Sequence, residues 1–138
     1  MPSCDPLTGL GDHDAFEVAL TRARRRMEVA VVIVDVDGLD AIVEASGHQA
    51  GDRALLGLAA RLSSALRTGD QLFRIDLDAF AAVVAVRDEH EAPSAAKRLA
   101  TAAGQAAPIV VTVGAAVPHG HESDAAVLAR AVQALNFG

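Results

Sequence analysis

Four aspartates occupy the ends of predicted strands, where carboxylates from distant parts of a chain can meet. Asp35 and Asp37 close the apolar run VAVVIVDVD, and Asp76 and Asp78 belong to the tight turn inside LFRIDLDAF. Carboxylate oxygens are preferred ligands of Mg²⁺, which neutralises phosphate charge during phosphoryl transfer. If the two strand ends lie side by side, these residues form one carboxylate cluster suited to magnesium and phosphate chemistry.

The turn that carries two of these aspartates has an unusual composition. A two-residue hairpin turn normally contains Gly or Asn, because its central residues take positive φ angles. This turn reads Asp76-Leu77-Asp78 and contains neither. Whether the chain is an enzyme depends on what these three turn residues can do in place of Gly or Asn.

The pattern of apolar residues and caps predicts strands and helices along the whole chain. β-Branched runs indicate strands, whereas apolar residues three to four apart behind Asp or Ser caps indicate helices. The predicted strands are VAVVIVDVD (29–37), QLFRI (71–75), AFAAVVAV (79–86) and PIVVTVGAAV (108–117). The predicted helices run from Asp14 to Met27, within GLDAIVEASG up to Gly47, from Asp52 to Leu66, from Ser94 to Ala103 and from Ser123 to Leu135.

The order of these elements predicts the fold class. A β-α-β-β-α-β core, with one more helix at each end, indicates an α+β domain of the ferredoxin-like, palm-type plan, in which helices flank an antiparallel-rich sheet. A length of 138 residues corresponds to one ordinary domain, so we expect a single domain over 1–138. In this plan the first strand lies beside the central hairpin, which would bring Asp35 and Asp37 next to Asp76 and Asp78.

Composition argues against several classes of protein. The chain is 51% hydrophobic and 22% charged, which argues against disorder, and no apolar run reaches the roughly 18 to 20 residues of a membrane span. Because Cys4 is the single cysteine and no signal-peptide pattern follows Met1, we expect a cytoplasmic protein with no membrane partner. A net charge of -6 argues against a nucleic-acid binder. The arginines at 22–26 end a helix, where cations complement the helix dipole, and they are assigned no chemistry.

Several motifs, in order, resemble the GGDEF domain, the diguanylate cyclase family, over nearly the whole chain. DPLTGLGDHDAF is similar to the family's DxLTGLxNRxxF, and DVDGLDAIVEASGHQAGD follows its DxDxFKxxNDxxGHxxGD spacing. RTGDQLFRIDLDAF follows RxxD and then RYGGDEF, while VTVGAAV resembles TVSIGVA and AVQALN resembles ADxALYxAK. The resemblance implies the GGDEF fold and a nucleotide site at the strand ends.

The resemblance implies that part of this nucleotide site is retained. Asp35 matches the family's first metal-binding aspartate, and Asp78 keeps the carboxylate at the third position of the signature. These two are the candidate ligands for Mg²⁺, the only cofactor that the sequence suggests. Asp52 matches the aspartate that hydrogen-bonds guanine in the family.

The resemblance also implies that groups needed for cyclase activity are lost. Asp76 and Leu77 replace the two glycines that let the backbone approach phosphates, which adds a negative charge and bulk there, and Ala79 replaces the signature glutamate. Further replacements in the site are Leu39 for Phe, Asp40 for Lys, Val43 for Asn and Glu44 for Asp. Phosphoryl transfer depends on positioning and charge neutralisation, so we expect a degenerate domain that is not an enzyme.

A second ligand site is implied by the stretch Arg67-Thr68-Gly69-Asp70. It matches the RxxD motif at which cyclic di-GMP inhibits many active members of the family, and Arg98 lies where a further arginine joins that site. A guanidinium group can contact guanine acceptors and a phosphate, and a carboxylate can accept from guanine nitrogens. The alternative is structural, with Arg67 a cation at a helix end and Asp70 a turn residue.

These observations favour a regulatory module that binds cyclic di-GMP. Two alternatives stay open: a ligand-free scaffold that forms a homodimer or binds a protein partner, and residual GTP or metal chemistry at the aspartates. His119 and His121 lie near Glu122 and Asp124, but two histidines without a third matching ligand are more often surface residues. Cys4 has no evident neighbouring base or cation that would activate a thiol.

Overall fold

The computed structural model describes residues 3–104 and 109–135. The five helices in this part of the chain are α1 (His13–Arg24), α2 (Leu39–Ser46), α3 (His48–Ser64), α4 (Ala92–Ala103) and α5 (Asp124–Gln133). The four strands are β1 (Val29–Asp37), β2 (Gln71–Asp76), β3 (Ala79–Ala85) and β4 (Val110–Ala116), and a short 3₁₀ turn, Glu89–Glu91, precedes α4. The predicted α+β class is confirmed.

The four strands form one antiparallel sheet in the order β2-β3-β1-β4. β1 is a central strand because its nine residues include six consecutive apolar ones, and the first six are all buried. It pairs with β3 from Val29↔Ala85 to Asp35↔Ala79, and with β4 from Val31↔Ala116 to Asp37↔Val110. This pairing confirms that the first strand and the central hairpin are neighbours.

Helices cover both faces of the sheet because side chains alternate between the faces along each strand. On one face, Val32 and Val34 of β1 pack in a core with Leu58 of α3 and Leu99 of α4. On the other face, Val31 and Ile33 of β1 pack with side chains of α1 and α5, which include Phe16 and Val127. The polar residues at the end of β1 lie at the edge of the region in which helices cover both faces of the sheet.

Two helix starts differ from the prediction. α3 begins at His48 rather than Asp52, because Gly47 takes φ +88° and ψ 171°, a conformation essentially restricted to glycine that lets a new helix begin immediately after α2. α4 begins at Ala92 rather than Ser94, with Pro93 in its first turn, where the missing N–H of proline costs no helix bond. The cap of α5 is Ser123, as predicted, and the cap of α1 is Asp12, one of the two aspartates, with Asp14, that the sequence offers for this position.

The predicted strand ends agree to within two residues, apart from Pro108, which lies outside the described residues. α1 ends at Arg24 instead of Met27, and α5 ends at Gln133 instead of Leu135. Across residues 3–104 and 109–135, none of the helices has the length and apolar character that crossing a bilayer requires.

Candidate functional site

The β2–β3 hairpin brings the Asp76-Leu77-Asp78 turn to the end of the sheet. Pairing is regular from Gln71↔Val83 to Arg74↔Phe80, and then shifts so that Asp76 pairs with Ala79. The shift leaves Ile75 as an extra residue on β2, which is a β-bulge. A bulge increases the local twist of a strand pair, and this twist lets a turn without glycine join β2 to β3.

The turn closes without any positive φ angle. In the described part of the chain, the residues with positive φ are all glycines, so Leu77 and Asp78 do not need the freedom of glycine. The Leu77 N–H donates to Oδ1 of Asp76 at 2.8 Å, and the backbone oxygen of Asp78 accepts from the Val36 N–H at 2.8 Å. These two bonds hold the turn and attach it to the end of β1.

Arg74 holds the turn from inside the hairpin. Its Nη2 donates to the Leu77 oxygen at 2.6 Å, and its Nη1 donates to both carboxylate oxygens of Asp5 at 3.0 and 3.2 Å. Asp5 also accepts from the N–H and the hydroxyl of Thr8. Burial raises the pKa of Asp5, but these hydrogen bonds with Thr8 and Arg74 together hold it below its ordinary value. The N-terminal loop and the hairpin tip are therefore joined by one ionic group.

Sequence reasoning placed no role on Asp5 or Arg74, although both lie in the motifs that carry the family resemblance. The two residues are 69 positions apart, and no local spacing relates them. The available signal was chemical: a lone arginine in the apolar, partly buried strand LFRI requires an acidic partner. The Nε of Arg74 is buried and has no hydrogen-bond partner in the described residues.

Asp35, Ala79 and Asp76 form a row across three neighbouring strands. Asp35 of β1 pairs with Ala79 of β3, and Ala79 pairs with Asp76 of β2. Directly opposed residues in regular pairing point to the same face of a sheet, so Ala79 shares a face with Asp35, whereas Asp76 follows the bulge at Ile75. Asp35 and Ala79 belong to the sheet face that α1 and α5 cover, because they alternate in phase with Ile33 and Ala81 of that core.

The carboxylates of the predicted cluster lie close enough together for their charges to change the pKa of Asp35. Burial raises the pKa of Asp35, and three neighbouring negative charges raise it further. Those neighbours are Asp37, Asp78 and Asp76, in decreasing order of effect. A divalent cation bound among crowded carboxylates relieves their mutual repulsion.

In the described part of the chain, no three side chains of the cluster bring their carboxylate oxygens together in one group. Among the described residues, one group of three or more candidate ligands has its atoms within 4.8 Å of one another, and that group is His13, Asp14 and Glu17 at the start of α1. Asp37 is drawn toward β4, where the Thr112 hydroxyl donates to its Oδ2 at 3.2 Å. The charge of the cluster fits Mg²⁺, and Asp35 and Asp78 stay the predicted ligands.

A cleft of about 550 Å³ lies between the hairpin tip and the α2–α3 pair. The predicted residues that line it are Asp37, Leu39, Asp40, Val43, Asp52, Asp76, Leu77 and Asp78. Asp35 and Ala79, which share the sheet face of the α1 and α5 core, are not among the residues that line the cleft. The predicted active-site residues are therefore divided, with Asp35 and Ala79 outside the cleft that the others line.

The cleft combines an apolar wall with an acidic rim. Leu39, Val43 and Leu55 contribute to the wall, and a Cβ on Gly51 would lie 2.8 Å from Cγ2 of Val43. The missing side chain of Gly51 thus lets α2 pack closely on α3, with a Val43 methyl group in the space that a Cβ would need. The acidic residues that line the cleft are Asp37, Asp40, Asp52, Asp76 and Asp78. Such a surface attracts cations and repels a polyphosphate that arrives without metal.

The structure brings Arg67, Asp70 and Arg98 together at the opposite end of β2. Oδ2 of Asp70 accepts from the Arg67 N–H at 3.1 Å, and Nη2 of Arg98 lies 3.9 Å from the same oxygen. Oδ1 of Asp70 accepts from the Ala85 N–H at 3.1 Å, which ties the turn to the end of β3. Arg98 also donates from Nε to the Ala65 oxygen at 2.8 Å. The Arg98 guanidinium and the Arg67 backbone N–H are therefore grouped around one aspartate.

The histidine loop forms no metal site in the described residues. Glu122 accepts from Nε and Nη2 of Arg130, each at 2.7 Å, and mainly this pair lowers the pKa of Glu122 to about 2. Asp124 accepts from the Thr21 hydroxyl and from Nη1 of Arg24. The two carboxylates of this loop are thus already bound to protein groups.

Comparisons with known proteins identify the family. A model of the diguanylate cyclase GGDEF domain matches residues 3–136. The diguanylate cyclase TpbB of Pseudomonas aeruginosa is 37% identical over 86 residues, which are 59% of this chain and 20% of TpbB. The chain thus spans about a fifth of the length of that curated relative.

Solved structures agree with the family match. The isolated GGDEF domain of TpbB from P. aeruginosa aligns with a TM-score of 0.84 at 28% identity, over 96% of this chain and 86% of that one. A microbial GGDEF domain described for its interaction with cyclic di-GMP aligns with a TM-score of 0.81 at 26% identity, also over 96% of this chain and 86% of that one. The fold, the position of the hairpin tip and the match over almost the whole chain show that this protein belongs to the GGDEF domain family.

Proposed function

We propose that this chain is a GGDEF domain that does not synthesise cyclic di-GMP and instead binds it as a regulatory module. The binding group is Arg67, Asp70 and Arg98. The observation that carries the proposal is the turn beside β2 that holds Arg67 next to Asp70 through its backbone N–H, with the Arg98 guanidinium 3.9 Å from the same carboxylate, and it needs no residue of the cleft. A related GGDEF domain is described in its interaction with cyclic di-GMP, which supports the choice of ligand.

The hairpin tip supports the absence of cyclase activity. Ala79 pairs with Asp35 on one neighbouring strand and with Asp76 on the other, so a methyl group stands where the family carries a carboxylate side chain. The cleft presents Asp40 and Asp76 to any polyphosphate. Phosphoryl transfer requires cations and hydrogen-bond donors around the phosphates, and the lining of this cleft is rich in the opposite charge.

The binding half of the proposal is tested by calorimetric titration with cyclic di-GMP. We expect the wild type to bind, Arg67→Ala to abolish binding, and Asp78→Ala to leave it unchanged because Asp78 lies at the other end of β2. Arg25→Ala is the matched control, since it removes an exposed arginine at the end of α1. Binding that survives Arg67→Ala would place the ligand elsewhere.

The catalytic half is tested by incubating the chain with GTP and either Mg²⁺ or Mn²⁺. We expect neither dinucleotide nor hydrolysis products under conditions in which the GGDEF domain of TpbB is assayed in parallel. Formation of either product would instead support residual nucleotide chemistry at the aspartates.

A different outcome would support a scaffold role. If no guanine nucleotide releases heat or raises the unfolding temperature, and the chain forms a stable complex with itself or with a partner chain, the module acts by protein contact alone. Analytical ultracentrifugation with and without cyclic di-GMP separates that result from ligand-driven dimerisation.

A further inference from the structure

The solvent-facing side of α5 carries no charged side chain within the described residues of that helix. Its exposed residues are Ala125, Ala129, Val132 and Gln133. Its two charged residues are engaged inside the chain, because Asp124 accepts from Nη1 of Arg24 at 2.7 Å and Arg130 donates to Glu122. A surface helix normally directs charged side chains to water. This face of α5 therefore has the composition of a contact surface.

A groove of about 510 Å³ lies between this face of α5 and α1. Phe16 of α1 and Leu128 and Val132 of α5 are among the apolar residues that line it, and Val132 is 47% exposed. His13 and Glu17 line the α1 side, where Nδ1 of His13 lies 2.8 Å from Oε1 of Glu17. Exposed apolar surface of this kind marks a site at which another molecule packs.

Two residues of the groove differ from the motifs that the chain resembles. His13 stands at the arginine of DxLTGLxNRxxF, and Val132 stands at the aspartate of ADxALYxAK. One change removes a permanent cation and the other removes an anion, and both residues line the same groove. The groove is therefore less charged in this chain than the motifs would make it, which favours an apolar occupant.

The charges on α1, which borders the groove, are opposite at its two ends. Asp14 and Glu17 are exposed near its start, and Arg25 is exposed at its C-cap. Asp14 and Arg25 are separated by about three turns of helix, so they lie on the same side of α1. A second α1 that runs antiparallel to the first would place each Asp14 opposite the partner's Arg25. The surface of α1 is thus complementary in charge to a copy of itself.

The exposed face of α5 is complementary in size to a copy of itself. Ala125 and Val132 lie about two turns apart on one side of the helix, with Leu128 and Ala129 between them. In an antiparallel pair centred between Leu128 and Ala129, each Val132 lies opposite the partner's Ala125. Each Leu128 then lies opposite the partner's Ala129. Large side chains pack on small ones in this arrangement, which lets the two helices approach closely.

One symmetry axis can satisfy both helices. α5 begins beside the end of α1, because Asp124 accepts from the Thr21 hydroxyl and from Arg24. A two-fold axis perpendicular to the two helices pairs α1 with the partner's α1 and α5 with the partner's α5, each antiparallel. A two-fold dimer uses the same patch on both subunits, so it requires a patch that is complementary to itself.

We infer that the α1–α5 face is the contact surface for a second copy of this chain, in a two-fold dimer that forms without ligand. The proposed ligand group contains no residue of α1 or α5, so this dimer does not depend on cyclic di-GMP binding. Helices of 12 and 10 residues offer a small patch, and we expect a weak dimer with a dissociation constant in the micromolar to submillimolar range.

Sedimentation velocity of the chain without nucleotide, over a series of concentrations, tests this dimer. We expect the wild type to shift from monomer to dimer as the concentration rises, and Val132→Asp to weaken association about tenfold or more. Leu56→Asp is the matched control, since Leu56 is 42% exposed on α3, which packs on the other face of the sheet. A wild type that is monomeric up to millimolar concentration overturns the inference, as do equal effects of the two substitutions.

Charge reversal tests the antiparallel arrangement. Asp14→Arg and Arg25→Asp each bring like charges together twice in the dimer, and each should weaken association by up to about tenfold. The double variant restores opposite charges and should recover the wild-type dissociation constant to within about threefold. A double variant weaker than both single variants contradicts the arrangement. Arg25 is not part of the proposed ligand group, so these substitutions change association and not nucleotide affinity.

An NMR dilution series locates the contact and separates it from the proposed function. The amide signals of Ala125, Ala129 and Val132 should shift with concentration, whereas those of α2 and α3 should not. Shifts confined to another face overturn the inference. A chain that binds cyclic di-GMP but never dimerises without it overturns this inference alone, and a chain that dimerises but binds no cyclic di-GMP overturns the proposed function alone.

Discussion

Nη1 of Arg74 lies 3.0 and 3.2 Å from the two carboxylate oxygens of Asp5, so one buried ion pair ties the N-terminal loop to the hairpin. The side chains are 9% and 14% exposed. Because Nη2 of the same guanidinium donates to the Leu77 oxygen, the position of the turn depends on Asp5. A change in the N-terminal loop would therefore shift the turn that forms part of the rim of the cleft.

Removing the charge of Asp5 should destabilise the domain. Asp5→Asn leaves Arg74 with an uncompensated buried charge, and breaking a buried pair in this way costs about 3 kcal/mol. Urea unfolding followed by circular dichroism measures the difference. Glu44→Gln, a charge removal at an exposed residue of α2, serves as the control and should change stability by less than about 0.5 kcal/mol. A loss no larger than that of the control would show that the pair contributes nothing.

The contribution of Asp5 should disappear in acid. Its pKa is lower in the folded chain than the ordinary value, so the folded state binds the Asp5 proton less tightly than the unfolded state does. Such a group stabilises the fold above the unfolded pKa, and the stabilisation is lost as the pH falls through the folded pKa. The stability difference between wild type and Asp5→Asn should be constant near neutrality and shrink below about pH 4. A difference that grows on acidification would contradict this sign.

Neutralising Asp35 should stabilise the protein at neutral pH. Its pKa is raised in the folded state by burial and by neighbouring carboxylates, so the folded chain holds the proton more tightly and loses stability as the pH rises through that window. Asp35→Asn should therefore gain about 0.5 kcal/mol at pH 7, the scale of a relieved cross-strand repulsion, and gain nothing at pH 3. Thermal unfolding at both pH values in the presence of EDTA tests this. A destabilised variant at pH 7 would show that the Asp35 carboxylate makes a contact that outweighs the repulsion.

Introducing glycine at Leu77 should weaken the hairpin, although glycine is the expected residue for tight turns. Leu77 is 76% exposed and has no positive φ, so its replacement removes no packing and relieves no strain. Leu77→Gly then mainly raises the entropy of the unfolded chain, at a cost of about 0.5–1 kcal/mol. Leu77→Ala is the control and should be nearly neutral. An unfolding temperature that rises in Leu77→Gly would mean that the turn is strained after all.

Two glycine-to-alanine substitutions should have opposite effects. A Cβ on Gly114 of β4 would lie 2.4 Å from the Ala131 oxygen and 2.7 Å from the Leu135 nitrogen, so α5 would be pushed off the sheet. We expect Gly114→Ala to cost more than about 2 kcal/mol. A Cβ on Gly57 of α3 meets no atom within 4 Å, and Gly57→Ala should gain up to about 1 kcal/mol. Chemical denaturation of both variants, side by side, measures their free energies of unfolding. Equal changes in the two variants would contradict this packing.

The sequence was sufficient for the fold because its strongest signals are local. The β-branched run of β1, the paired strands around the turn and the caps Asp12 and Ser123 each specify their element over a few residues. The start of α3 was wrong because the prediction treated Gly51 as a break, whereas Gly47 alone makes the reversal and Gly51 serves close packing against Val43.

The candidate site was less predictable because it depends on pairing between distant residues. The proximity of Asp35 to Asp76 followed from the strand order, but the bulge at Ile75 that sets which residue faces Ala79 has no signal in the letters of the sequence. The ion pair between Asp5 and Arg74 likewise joins two segments that are distant in the sequence, and no repeating pattern of residues relates them. The ligand roles of Arg67, Asp70 and Arg98 remain predictions for the titrations above.

A hairpin that closes through a bulge and through hydrogen bonds to the backbone of its turn has an evolutionary consequence. The Leu77 and Asp78 side chains are not what holds the turn, so these two positions of the signature can change while the molecule stays folded. Selection for a folded chain and selection for catalysis therefore act on separate residues of the same loop. A lineage can abandon the reaction gradually and keep, at every step, a domain available for another use.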